Sequence, residues 1–71
     1  MYHAKPVTVS VYRDGKFISR MINVLPRTAR STVEGWIAGD EPWPDGDYEA
    51  RLIRQNRILK IYRWTRDEFT K

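Results

Sequence analysis

The chain contains no cysteine and only one histidine, His3. The first absence excludes a disulfide framework and any thiolate metal site, and one imidazole is too few for a zinc centre. No apolar run approaches the roughly 18 to 20 residues that a membrane-spanning helix needs, and no charged-then-apolar leader opens the chain. A cytoplasmic protein is therefore expected. There is no glycine-rich phosphate loop, no His, Asp or Glu cluster at metal-ligand spacing, no internal repeat and no low-complexity tract. Ser31 with Glu34 three residues on fits a helix cap better than a nucleophile and its base. Asp40, Glu41, Asp45 and Asp47 lack the ordered ligand spacing of a calcium loop and read as turn chemistry. His3 is expected to be solvent-exposed. No catalytic residue, metal or cofactor is expected, and the chain is expected not to be an enzyme.

What is present argues for a folded core. The 71 residues are 41% apolar and include three Trp and four Tyr. That suits a single domain over residues 1–71, close to the size below which a core needs a staple. Thirteen Lys and Arg against nine Asp and Glu leave a net charge of +4, which favours an anionic partner.

In "VTVSVYRDGKFISRMINVL" valines alternate with Thr8, Ser10 and Tyr12, and Asp14-Gly15 supplies a tight turn. Two strands are predicted, Val7 to Arg13 and Lys16 to Leu25. A regular register pairs Val11 with Ile18, Val9 with Arg20 and Val7 with Ile22. Pro26 ends the second strand. A helix of about two turns is predicted from the Ser31 cap, with Val33, Trp36 and Ile37 on its buried face and Gly39 past its end. "DEPWPDGD" reads as a rigid loop closing in a β-turn over Pro44 to Asp47.

The last third, "ARLIRQNRILKIYRW", has no apolar stripe when laid on a helix. Folded about Gln55-Asn56 it pairs Leu52 with Leu59, Ala50 with Ile61 and Ile53 with Ile58, so strands are predicted over Tyr48 to Arg54 and Arg57 to Trp64. The fold class is α+β, a four-stranded mostly antiparallel sheet (ββαββ) with one short helix on one face. A small half-open barrel of SH3 or OB type is the alternative.

Strand alternation in this register divides the basic residues. Arg51 and Lys60 oppose each other on the face of Tyr12, Phe17, Met21, Ile53, Ile58, Tyr62 and Trp64, while Arg54 and Arg57 rim the hairpin tip and Arg63 joins Leu52 and Ile61. A face this apolar needs a cover. The Trp43 loop or a terminal segment, a protein partner including a second copy of the chain, or nucleic acid stacked on the aromatics with Arg51, Lys60 and Arg66 on phosphates would each supply one. The candidate partner-binding residues are Arg51, Arg54, Arg57, Lys60, Tyr62, Trp64, Tyr12 and Phe17.

The "VSVYRDGKFISR" hairpin, the short Trp-bearing helix "STVEGWIAGD" and the terminal strand pair resemble, in outline, small bacteriophage proteins that disable host machinery. These include anti-CRISPR proteins and inhibitors of host RNA polymerase. The resemblance implies a non-catalytic inhibitor in the host cytoplasm that engages one large host protein or nucleoprotein complex; the residues themselves point to the sheet face and the basic hairpin tip as the surface it would use. The other reading is direct binding of DNA or RNA by the same residues.

Overall fold

A computed structural model describes residues 5–39 and 41–67. The expectations for His3, for Asp40 and for a C-terminal segment past Asp67 lie outside the described residues. The elements run β1 (Val7–Arg13), β2 (Lys16–Val24), α1 (Pro26–Ala38), β3 (Gly46–Arg54) and β4 (Arg57–Arg66). They form an open sheet in the order β2-β1-β3-β4 with every neighbouring pair antiparallel. The ββαββ reading holds, and because β2 and β4 do not pair with each other the barrel alternative does not.

Helix α1 is longer than expected, and its start is different. Leu25 is extended at φ −63°, ψ 143° and no side chain caps the helix. Pro26 occupies the first turn, where its fixed φ suits a helix and its missing N–H is not needed. It holds Leu25 extended, so one proline both stops β2 and starts α1. Ser31 is therefore inside the helix and does not cap it. Gly39 ends it in the left-handed region at φ 91°, its N–H reaching the carbonyls of Gly35 and Trp36. Ala29 and Val33 are buried against Val7, Val9, Val11, Ala50 and Leu52, whereas Ile37 is 43% exposed and does not share the core face.

The two hairpin turns fall where the sequence places them. Asp14-Gly15 and Gln55-Asn56 all have positive φ, as tight hairpin turns of matching twist require. Beyond each turn, however, the edge strand slips by one residue. In the first hairpin Tyr12 faces Phe17 but Val11 faces Ser19, leaving Ile18 as the extra residue of a bulge, and Val9 then faces Met21. In the second, Ile53 faces Ile58 but Leu52 faces Lys60, so Leu59 is extra. A bulge moves every later side chain to the opposite face. A second irregularity near Asn23, φ 56°, pairs Val7 with Val24 in place of Ile22.

These slips reveal a two-fold relation that the residue identities hide. Adding 41 to Asp14, Gly15 and the bulged Ile18 gives Gln55, Asn56 and the bulged Leu59. The same operation maps the pair Thr8–Ile53 onto Glu49–Tyr12 and Ser10 onto its own partner Arg51. The sheet thus has an approximate two-fold axis through Ser10–Arg51, and its two hairpin turns sit at opposite ends. Both free edges carry the bulge at the same place, which blunts them against pairing with other strands.

Candidate functional site

The bulges decide which candidate residues share a face. Past Leu59, Lys60, Tyr62, Trp64 and Arg66 fall on the helix side of the sheet, opposite Leu52, Ala50, Tyr48 and Gly46. Six expectations are corrected here. Tyr62 is not on the open face but in the core, only 8% exposed. Trp64 is not on the open face either: it stacks on Tyr48 at 5.4 Å and 12° and lies 6.4 Å from Trp43. Lys60 does not oppose Arg51; its ammonium is 4.8 Å from the centre of the Tyr62 ring. Arg66 is buried and donates to the Glu41 carbonyl at 2.8 Å, which takes it away from any phosphate. Ile61 and Arg63 move the other way, onto the face without a helix. The cause is aromatic. Only the slipped register brings Trp64 against Tyr48 and Trp43, and the Trp43 loop closes over that cluster, with Trp43 4.8 Å from Trp36.

The loop itself bends at Asp45 and enters β3 at Gly46 without completing the expected turn. It is tied to the first hairpin. Arg13 donates to the Asp45 carbonyl through Nε at 2.9 Å and Nη2 at 2.6 Å. Asp14 and Asp47 exchange two bonds, Asp14 N–H to the Asp47 carbonyl at 2.8 Å and Asp47 N–H to Asp14 Oδ1 at 2.9 Å. Tyr48 donates its hydroxyl to the Pro44 carbonyl at 2.6 Å, and burial pushes its phenol pKa up.

The face without a helix is open among the described residues. Tyr12 and Phe17 meet edge to face at 5.8 Å, and the Arg51 guanidinium lies 4.4 Å from the centre of the Tyr12 ring. Glu49 joins Arg51 through Oε2 and Arg63 through Oε1, the latter at 3.1 Å. A shallow groove of about 360 Å³ runs beside Tyr12, Asp47, Glu49, Arg51 and Arg63. Its two cations are already satisfied by one carboxylate, so it is a weak anion site. The hydrogen bond from Arg51, then that from Arg63, hold the Glu49 carboxyl below its ordinary 4.5. The sign follows from that depression: the ion-pair contribution is complete above the unfolded value and disappears as pH falls through the folded one. In an NMR titration Glu49 is expected to protonate below an ordinary glutamate, and Arg51→Gln to return its midpoint upward. An unchanged midpoint would contradict the pairing.

Charge is segregated along the sheet. No acidic residue lies between Asp14 and Glu34, nor between Glu49 and Asp67. The fold adds these two stretches together. Asp14, Asp45, Asp47 and Glu41 gather at the end of the Asp14-Gly15 turn, joined there by Asp67 after β4. The other end carries Arg54, Arg57 and Lys60 of the second hairpin, Lys5 before β1, and Arg27 and Arg30 from the start of α1. Among the described residues none of these six cations has a carboxylate within ion-pair distance. Of the six, only Arg54 is half-buried and the rest are exposed. The same end exposes Ile22, Leu25, Ile58 and Leu59.

The expected basic tip is thus present, larger than the sequence reading made it because the helix start and Lys5 join it. The signal for that was the acid-free spacing, which becomes meaningful once the topology folds both stretches to one end. Among the described residues no group of three His, Cys, Asp or Glu could hold a metal ion, and no helix is long and apolar enough to cross a membrane. No family model, curated protein or solved structure matches the chain.

Proposed function

We propose that this chain is a non-catalytic nucleic-acid-binding module of the cytoplasm that meets its partner with the basic end of the sheet. One observation carries the reading. Six cations that among the described residues have no carboxylate partner converge at one end, whereas at the other Asp14, Glu41, Asp45, Asp47 and Asp67 stand beside Arg13, Lys16 and Arg66, a field that draws a polyanion to the first end. Arg27, Arg30, Lys5 and Lys60 supply phosphate contacts, and Arg54 and Arg57 add charge at the tip.

Binding that uses about 4 to 6 phosphate contacts on duplex DNA should weaken linearly in log salt with a slope of about −3.6 to −5.4. Fluorescence anisotropy with labelled duplex and single-stranded probes measures it. Absence of binding at about 50 mM salt would sink the reading.

The exposed Ile22, Leu25, Ile58 and Leu59 favour a second reading, in which a phage-type inhibitor seats the same end on a host nucleoprotein complex. Aliphatic side chains within a cationic rim suit such an interface. Salt-insensitive capture of a host complex that is lost on Ile58→Asp, with no binding to bare nucleic acid, would select it.

A further inference from the structure

Resting on the nucleic-acid reading, we infer that the turn between β3 and β4 reads base edges in the major groove of duplex DNA. The turn and its flanks run Arg54-Gln55-Asn56-Arg57. Arginine takes guanine O6 and N7 with two hydrogen bonds, and Asn and Gln take adenine N6 and N7 in the same way. Four consecutive residues of these types stand at the tip of the β3–β4 hairpin, at one corner of the sheet. Gln55 and Asn56 form the turn with φ of 51° and 63°, and Arg54 faces Arg57 in the first rung behind it.

The dimensions agree. The Gln55-Asn56 turn and the Arg54–Arg57 rung, with strands about 4.8 Å apart, fit a major groove about 12 Å wide; from the next rung back Thr8 pairs with Ile53 and the sheet widens, so what enters the groove is the turn with the long side chains of Arg54 and Arg57. The deep, narrow major groove of an RNA duplex does not admit them. Arg27, Arg30 and Lys5 lie at the same end for the flanking phosphates.

The two-fold relation within the sheet supplies an internal comparison. The equivalent turn at Asp14-Gly15 has the same backbone device, but it is sealed. Arg13, the counterpart of Arg54, is held by the Asp45 carbonyl, and Asp14 is bonded to Asp47. At the Gln55-Asn56 turn no described residue makes the corresponding bonds. The open turn carries readers and cations where the sealed one carries an acid.

The test uses the whole chain with random-sequence duplex DNA of about 20 base pairs, the matching RNA duplex and inorganic polyphosphate as probes. Dimethyl sulfate should show guanine N7 protected and adenine N3, which lies in the minor groove, unprotected. Duplex RNA should bind at least about 10-fold more weakly than DNA. Gln55→Gly with Asn56→Gly keeps a turn that favours positive φ and leaves the charge unchanged. It should reduce discrimination between duplexes that the unaltered chain retains from the random-sequence pool and scrambled versions of them about 10-fold, with the salt slope unaltered. Equal binding of DNA, RNA and polyphosphate, protection at adenine N3 alone, or full discrimination by the Gly-Gly variant would overturn the inference and leave the nucleic-acid reading standing. No binding to any probe would overturn both.

Discussion

Trp64→Ala is expected to cost about 3 kcal/mol of folding stability, the loss typical of removing a large aromatic from a packed site. For a chain of this length total stability is about 4 to 11 kcal/mol, so the variant is expected to sit near its unfolding midpoint at elevated temperature. Trp64 stacks on Tyr48 and Trp43, and those rings lie on Trp36 and the α1–β3 loop, so truncation loosens the loop together with β4. In urea the midpoint should fall with an unchanged slope, and the near-ultraviolet dichroism of the aromatic cluster should collapse. Phe17→Ala is the control: Phe17 is 56% exposed on the other face and its removal should cost no more than about 0.5 kcal/mol. A Trp64→Ala variant that keeps full stability but loses partner binding would return Trp64 to the interface, where the unbulged register puts it.

The second large effect is expected at Gly46, where β3 begins. Its φ is 154°, and a Cβ there would come within 2.8 Å of Arg13 Nε, 3.0 Å of Arg13 Cγ and 3.3 Å of Asp14 Oδ1. Gly46→Ala combines backbone strain of about 1 to 3 kcal/mol with displacement of the guanidinium that holds the Asp45 carbonyl. The two causes separate in a double-mutant cycle. Arg13→Ala removes the two closest of these contacts and leaves that to Asp14 Oδ1, so Gly46→Ala should cost less in that background than alone, by an interaction of about 1 kcal/mol. Additive costs would assign the whole effect to backbone strain.

The sequence made the turns legible because Asp14-Gly15 and Gln55-Asn56 are local chemistry: few residues tolerate two consecutive positive φ values. The strands were legible too, since Val7, Val9 and Val11 alternate and residues 48–64 refuse a helical stripe. The bulges were not. After Leu59, both phases of β4 are apolar, Ile61 on one and Tyr62 and Trp64 on the other, so pairing like with like selects Ile61. The fold selects the aromatics instead, because Tyr48 and Trp43 offer them ring partners from distant parts of the chain. The start of α1 was missed for a different reason. Ser31 and Glu34 carry a plausible cap, but Pro26 is compatible both with ending a strand and with beginning a helix, and here it does both. Of the candidate site residues, Arg54 and Arg57 are on the tip where they were expected and Tyr12, Phe17 and Arg51 share the open face. The slip of one residue removes Tyr62 and Trp64 from that face.

The two-fold sheet also bears on the order in which the chain assembles. Each hairpin closes through two turn residues, so β1–β2 and β3–β4 can form independently on the microsecond scale of local strand pairing. The β1–β3 rungs, by contrast, join residues as far apart as Thr8 and Ile53, and their closure carries the larger loop entropy. The slow step is therefore expected to be the docking of the two ribbons along the Ser10–Arg51 line, together with the packing of α1 onto Val7, Val9 and Val11. Substitutions along that seam should alter the folding rate, and those in the aromatic cluster at its end chiefly the unfolding rate.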